Sequence, residues 1–172
     1  NNKYKLGILG GTFDPAHIGH IKISKEAKKR FNLKEVIWAV TKKNPFKNKS
    51  SLGLKDRIKF AKKLNLKNKF NKINFFEKKI KSNKTIDLIK YFIKKNKNSN
   101  IYFIMGADNL VNFHKWKKSN QILNLCKILV FDRDGYKAKS LKSPSFKKYN
   151  KKGINFIIFK KINISSSQLR KI

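Results

Sequence analysis

The chain has 172 residues and a formal net charge of +35, a length that suits one domain with a real core. No apolar run approaches the roughly 18 residues of a membrane span, and the N-terminus has no signal-peptide layout, which excludes a membrane protein and favours the cytoplasm. Cys126 is the single cysteine, which excludes an internal disulfide and agrees with a reducing compartment.

The first predicted element is a buried strand within the stretch Leu6 to His20, LGILGGTFDPAHIGH. It ends at Gly10-Gly11, where two glycines let the backbone adopt φ > 0 and let a bulky anion approach the main chain. Pro15 allows no helix before it, and the apolar spacing beyond it predicts a helix from Gly19 to about Arg30. A strand, a glycine turn and a helix start bring backbone N–H groups and a positive dipole end together, which predicts a phosphate site.

His17 and His20 stand at this helix start, three residues apart and so on one side of a helical turn. Together they can donate hydrogen bonds, and positive charge when protonated, to a phosphoryl group. A metal pair or two capping histidines would fit the same spacing, but no cysteine or carboxylate cluster follows at metal-ligand spacing. We therefore predict phosphate ligands and no metal site.

Strands and helices alternate along the rest of the chain. The predicted strands are Glu35–Val40, Ile73–Ile80, Ile101–Gly106, Lys127–Phe131 and Ile154–Phe159, and the predicted helices are Leu52–Leu64 and Ser82–Asn96. Loops are predicted for Thr41–Ser51 and for Lys137–Lys152, the latter with a short helix over Phe146–Tyr149. This alternation predicts an α/β fold in one domain over residues 1–172: Rossmann-like and doubly wound, with a mainly parallel sheet and helices on both faces.

Two motifs near opposite ends of the chain resemble the fingerprints of the HxGH-type nucleotidylyltransferase superfamily. GTFDPAHIGH resembles the first, whose histidines contact nucleotide phosphates. The stretch from Ile164 to Arg170, ISSSQLR, resembles the second, Ile-Ser-Ser-Thr-x-Ile-Arg, with Ser167 in place of threonine. Serine hydroxyls before a helix and an arginine one turn on can bind the same anion. The resemblance implies catalytic roles for His17, His20 and Arg170.

A third segment, GADNLVNFHKW from Gly106 to Trp116, resembles the nicotinate mononucleotide adenylyltransferases of that superfamily. There the aspartate lies by the nucleotide and the tryptophan stacks on the nicotinate ring, although core packing would also suit Trp116. Thr85 resembles a family threonine beside the pyridine carboxylate, and Lys47 the lysine of a Pro-His-Lys loop whose histidine is here Phe46. His114 matches no catalytic role and is predicted to pack or lie at the surface. The implied ATP-binding residues are Gly10, Gly11, Thr12, Phe13, His17, His20, Lys47, Gly106, Asp108, Ile164, Ser165, Ser166 and Arg170, and the implied acceptor-binding residues are Asp14, Lys47, Thr85 and Trp116.

The reaction that this resemblance implies joins ATP and nicotinate mononucleotide to give nicotinate adenine dinucleotide and pyrophosphate in NAD biosynthesis. The mononucleotide phosphate attacks the ATP α-phosphate in line, with no covalent enzyme intermediate. Mg²⁺ is expected to be bound through the ATP phosphates. The oligomeric state is left open, a homo-oligomer included.

Three alternatives remain at this stage. A sister enzyme would use phosphopantetheine as acceptor, and another would use nicotinamide mononucleotide, the amide in place of the acid. The third, from another class, is a basic protein that binds nucleic acid. Only four of the 44 basic residues are arginines, and lysine-rich, asparagine-rich sequence follows from A- and T-rich codons, so we predict no specific nucleic-acid partner.

Overall fold

The computed structural model describes residues 4–42, 52–132, 137–149 and 153–157. Within them, one sheet has six strands, and every neighbouring pair is parallel. The strands are β1 (Tyr4–Gly11), β2 (Glu35–Val40), β3 (Asn71–Asn74), β4 (Ser99–Gly106), β5 (Cys126–Phe131) and β6 (Ile154–Ile157). Their order across the sheet is β3-β2-β1-β4-β5-β6.

Helices connect the strands. Their bounds are α1 (Ile18–Phe31), α2 (Leu54–Leu64), α3 (Glu77–Ile80), α4 (Thr85–Lys95), α5 (Ala107–Leu110), α6 (Ser119–Leu125), α7 (Lys137–Leu141) and α8 (Pro144–Tyr149), with a 3-10 helix over Phe113–Lys115 between α5 and α6. None of the helices in the described parts of the chain has the length and apolarity to cross a bilayer.

Both faces of the sheet are buried. In β4, Phe103 belongs to the apolar cluster that α4 and α6 cover, whereas the next residue, Ile104, belongs to the cluster that α1 and α2 cover. Because strands buried on both faces need apolar residues at every position, they appear in the sequence as continuous apolar runs. The predicted parallel α/β fold with helices on both faces is confirmed.

The strand order places the site. From β1 the chain builds outward through β2 to β3, then returns to place β4 on the other side of β1. In such sheets ligands bind in the crevice at the carboxyl ends of the strands, where the order reverses. Here that crevice lies between the ends of β1 and β4, at Gly11 and Gly106.

The predicted strand Ile73–Ile80 is wrong over most of its length. β3 ends at Asn74, and α3 begins at Glu77. The Asn74 side chain accepts a hydrogen bond from the Phe75 N–H, where the chain leaves the strand. Phe76 then packs edge-on against Phe92 of α4, and its carbonyl accepts from the N–H of Ile80. Apolar residues at 73 and 75 keep the alternation of a strand, whereas those at 76 and 80 keep the spacing of a helical turn, so the apolar run alone did not separate the two.

Smaller corrections concern element ends and one loop. α4 begins at Thr85 rather than Ser82, because the Ser82 hydroxyl accepts from the Lys84 N–H and donates to Asp87 instead of capping the helix. The stretch from Lys137 predicted as a loop contains α7 and α8, and α8 begins two residues before the short helix predicted there. The predicted helix from Leu52 begins at Leu54, and β6 is described as far as Ile157.

Candidate active site

The two histidines of the first turn of α1 cap that helix reciprocally. His17 is the N-cap residue, and its Nδ1 accepts a hydrogen bond from the Gly19 N–H at 3.0 Å. His20 stands three residues on, and its Nδ1 accepts from the His17 N–H, also at 3.0 Å. Both side chains are buried, and their ring centroids lie 4.0 Å apart. The capping arrangement set aside at the sequence level is therefore present.

The capping bonds decide which nitrogen of each neutral ring carries the hydrogen. A nitrogen that accepts an N–H bond carries no hydrogen, so a neutral imidazole in this arrangement has its hydrogen on Nε2. In that tautomer each histidine offers an Nε2–H as a donor. Capping and phosphate binding use different nitrogens and are compatible.

Residues behind the pair hold its orientation. Ser24 donates to the carbonyl of His20 and accepts from Nε1 of Trp38, both at 2.9 Å. Phe13 stacks on Trp38 with ring centroids 5.0 Å apart and contacts the His20 ring at 4.8 Å. Trp38 and Phe13 are fully buried, so His20 is wedged between its own helix and two aromatic rings.

The glycine turn differs from its prediction. Gly10 and Gly11 are extended residues of β1 rather than residues with φ > 0, and the left-handed backbone falls at Phe13, with φ of 50°. Both glycines line the cavity described below. A Cβ at either position would make only ordinary contacts, with the ring of Phe103 or of Phe13 at 3.6 Å. The absence of side chains at these glycines therefore leaves the backbone of β1 as the cavity wall. Neither glycine is required by a left-handed backbone conformation.

Sequence reasoning missed Arg57 of α2, which ties three segments together at the carboxyl edge of the sheet. Its guanidinium is buried and donates to four carbonyl oxygens at 2.7 to 3.0 Å, all of them backbone groups. The acceptors belong to Thr12 before α1, to Thr41 and Lys42 after β2, and to Leu52 before α2. The planar guanidinium carries five N–H donors, more than any other side chain, and can therefore bind several carbonyl groups at once.

A cavity of about 240 Å³ opens at the same edge. Its walls are the ends of β1 and β4, the segment after β2, α3 and the start of α4. Phe103 and Trp116 give it an aromatic side, and Lys84 and Thr85 stand at the start of α4. Among the residues that the structure describes, no side chain caps the first turn of α4.

Four of the predicted site residues line this cavity: Gly10, Gly11, Thr85 and Trp116. Trp116 is half-buried, with its indole edge-on to Phe113 at 5.3 Å and to Phe103 at 6.0 Å. It is therefore both packed and exposed to the cavity. His114 is half-buried, as a packing role predicts, and its Nδ1 lies 2.7 Å from the hydroxyl of Ser145.

Other predicted residues lie at the sheet edge but do not line the cavity. Asp14 is buried, and its Oδ1 accepts from the Leu52 N–H at 3.0 Å. Gly106 ends β4, and Asp108 stands in the first turn of α5. Lys47, Ile164, Ser165, Ser166 and Arg170 lie outside the described residues. The roles assigned to all of these remain predictions.

Cys126 is no candidate nucleophile. Burial raises the pKa of its thiol to about 12, and the thiol donates to the carbonyl of Ile122 at 3.3 Å. It is a protonated group of the core at neutral pH, whereas a nucleophilic cysteine needs its thiolate.

Comparison with known proteins identifies the family. The sequence profile described as cytidylyltransferase-like matches residues 8–172. A protein of Pelagibacter ubique named "probable nicotinate-nucleotide adenylyltransferase" is 65% identical over 170 residues, covering 99% of this chain and 94% of the relative. The chain belongs to the nicotinate-nucleotide adenylyltransferase family. It is therefore a nucleotidyltransferase, as the motifs predicted.

More distant members of the family agree. A protein of Aquifex aeolicus that carries the same name is 33% identical, covering 94% of this chain and 98% of its own length. Among solved structures, the Plasmodium falciparum nicotinic acid mononucleotide adenylyltransferase complexed with NaAD is similar with a TM-score of 0.75. It is 20% identical and covers 98% of this chain and 83% of its own chain, a likeness that shows the fold.

Proposed function

We propose that the protein transfers the adenylyl group of ATP to nicotinate mononucleotide, giving nicotinate adenine dinucleotide and pyrophosphate. The observation that carries the proposal is a set of contacts at the switch point of the sheet: Gly11 lines the cavity, the ring of Phe13 lies beside Gly11, and Phe13 contacts the His20 ring at 4.8 Å. The names of the relatives supply the acceptor and the group that is transferred. The cavity would take the acceptor, and the first turn of α1 would take the phosphates.

Catalysis of this reaction depends on positioning the two substrates more than on proton transfer. An oxygen of the mononucleotide phosphate attacks the α-phosphorus of ATP, the bond from that phosphorus to the bridging oxygen breaks, and pyrophosphate leaves with the electron pair. The nucleophile is already an anion, so the reaction needs no general base. Its barrier comes from bringing two anions into line and from the charge that develops on the phosphoryl oxygens.

The histidine pair is suited to that charge. Fixed Nε2–H donors cost no reorganisation when the transition state forms, and in a buried turn they act in a low dielectric. We assign His20 as the donor to the α-phosphoryl oxygens and His17 as a second phosphate donor. Gly10, Gly11, Thr12, Phe13, Gly106 and Asp108 would complete the ATP site, with Lys47, Ile164, Ser165, Ser166 and Arg170 assigned by the sequence motifs alone.

Magnesium would enter as part of the ATP substrate. Where the chain is described, no three His, Cys, Asp or Glu side chains are grouped as a metal cage would require. Mg²⁺ keeps several waters and is readily held by substrate phosphates, so the triphosphate itself supplies the ligands.

The acceptor end of the cavity suits a carboxylate. Lys84 lines one end of the cavity beside the start of α4, so the lysine and the positive end of the helix dipole bring positive charge there. One acidic residue, Glu77, also lines the cavity, and its Oε1 accepts from the Lys42 N–H at 3.3 Å. We propose the acid mononucleotide as the preferred acceptor over the amide.

The proposed function is tested by pyrophosphate release. We expect release with ATP and nicotinate mononucleotide, slower release with nicotinamide mononucleotide, and none with phosphopantetheine. Replacing ATP by CTP should abolish it. Release only with phosphopantetheine would overturn the proposal in favour of the sister activity, and tight binding of duplex DNA with no release would favour a nucleic-acid protein.

Trp116→Ala is expected to raise the KM for nicotinate mononucleotide by about tenfold or more, because ring stacking contributes roughly 1 to 3 kcal/mol. The KM for ATP should change little, since the indole lines the acceptor cavity and not the histidine turn. Initial rates with one substrate varied at a time measure both constants. An equal rise in both would make the indole a packing residue alone.

Lys84→Met is expected to reduce the preference for acid over amide by about two- to fivefold, the size of an exposed charge interaction. The measurement is the ratio of kcat/KM for the two mononucleotides, and it should move less in high salt. Lys90→Met is the matched control, because Lys90 is an exposed lysine in α4 that does not line the cavity. The same shift in both variants would indicate a general charge effect and contradict a local role for Lys84.

A further inference from the structure

Hydrogen bonds from α8 fix the turn that contains Trp116. Ser145 of α8 is fully buried, and its hydroxyl oxygen accepts a hydrogen bond from the His114 N–H at 2.7 Å. The same oxygen lies 2.7 Å from Nδ1 of the His114 ring. One hydroxyl thus binds both the main chain and the side chain of the 3-10 helix that immediately precedes Trp116.

A second buried contact secures the other end of this turn. The hydroxyl of Tyr149, also in α8, lies 2.7 Å from the hydroxyl of Ser119, three residues after Trp116. The Tyr149 ring packs edge-on against Phe113 at 5.7 Å, and Phe113 in turn packs against Trp116. Both ends of the segment 113–119 are therefore fixed to one short helix.

Such an anchor is needed because the turn has little stability of its own. A 3-10 helix of three residues has poor hydrogen-bond geometry and is rarely stable alone. The local bonds of Trp116, from its N–H to the Phe113 carbonyl at 3.0 Å and from the Ser119 N–H to its own carbonyl at 3.2 Å, stay within the turn. They cannot determine how the indole lies against the cavity.

We propose that Ser145 is a positioning residue for the acceptor, holding the Trp116 indole at the cavity wall where the pyridine ring of the mononucleotide stacks. The inference rests on the proposed function for the identity of that ligand. Ser145 is not among the described residues that line the cavity. It acts through the backbone of His114, and Tyr149 acts with it through Ser119 and Phe113.

Ser145→Ala tests this role. The variant leaves a buried N–H and a ring nitrogen without their partner, and we expect the KM for nicotinate mononucleotide to rise by about tenfold. The KM for ATP and kcat should stay within about twofold, because the histidine turn is untouched. Tyr149→Phe keeps the ring and removes only the hydroxyl, so the same constant should rise, by a smaller factor.

Ser99→Ala is the matched control. Ser99 is the first residue of β4, at the end of the strand away from the cavity. Its hydroxyl oxygen is buried and has no hydrogen-bond partner among the described residues. Its removal should leave both KM values unchanged. If Ser145→Ala raises the two KM values equally, or raises neither, the proposed positioning role is overturned.

Acrylamide quenching of tryptophan fluorescence gives a readout that does not depend on turnover. Trp38 is fully buried, so the quenchable emission comes from Trp116. We expect Ser145→Ala and Tyr149→Phe to raise the quenching constant of the free protein, and Ser99→Ala to leave it unchanged. An unchanged constant in folded Tyr149→Phe and Ser145→Ala overturns the inference. Absence of turnover in the unmodified protein would instead overturn the proposed function, while quenching would still test the anchor.

Discussion

His20→Asn is expected to lower kcat by about a hundred- to a thousandfold, the loss that follows removal of one donor to a developing oxyanion. The amide oxygen of asparagine lies close to the position of Nδ1 in histidine, so it can still accept the hydrogen bond from the His17 N–H. What the variant lacks is the Nε2–H. Turnover should therefore fall while the helix cap, and with it the fold, is kept.

His20→Ala provides the contrast, because alanine removes both nitrogens. It should lose as much activity as the asparagine variant and, in addition, about 1 kcal/mol of unfolding free energy, the usual contribution of a helix cap. The measurements are kcat and the free energy of unfolding in denaturant. Near-normal activity in either variant would remove His20 from the chemistry, and activity that followed stability across the pair would make its role purely structural.

Arg57→Met is expected to lower the free energy of unfolding by about 3 kcal/mol, because four carbonyl groups lose a buried donor at once. Denaturant unfolding measures this directly. Arg30→Met is the control: Arg30 is exposed and pairs with Glu26 on the surface of α1, an interaction of about 0.5 kcal/mol. Equal losses in the two variants would contradict the anchoring role of Arg57.

The same substitution should also affect catalysis below the unfolding transition. Arg57 holds the Thr12 carbonyl in the turn that leads to His17 and His20, so kcat/KM for ATP should fall even while the protein is folded. Arg57→Lys keeps the charge but lacks the planar fork, and we expect an intermediate loss of both stability and activity. A folded Arg57→Met variant with unchanged kcat/KM for ATP would show that the turn holds its shape without this anchor.

The central strands could be predicted because strands that are buried on both faces appear in the sequence as continuous apolar runs. Glu35–Val40 matches β2 at both ends, and β4 and β5 extend only slightly beyond their predicted bounds. The edge strand β3 could not be separated from α3, since a short strand with one partner and a single helical turn need similar apolar residues. The serine- and lysine-rich stretch that forms α7 and α8 carries no periodicity, and tertiary contacts such as that of Ser145 decide its structure.

The site was predictable as a set of motifs but not as a geometry. The spacing of His17 and His20 predicted a phosphate turn, yet only the structure shows that the two histidines cap the start of α1 through their Nδ1 atoms. Arg57 had a signal, because it falls on the apolar face of α2 between Leu54 and Ala61, where an arginine needs buried partners. Those partners are backbone carbonyls from three separate segments, which no sequence pattern reveals.

Long-range proton–nitrogen NMR spectra of the imidazoles, recorded with and without a non-hydrolysable ATP analogue, test the histidine pair most directly. We predict that His17 and His20 are neutral with hydrogen on Nε2, and that both Nε2 resonances shift when the analogue binds. His114, the third histidine of the chain, should shift far less. Hydrogen on Nδ1 of either ring would contradict the role of the two histidines as phosphate donors. Nε2 resonances that do not shift when the analogue binds would contradict it as well.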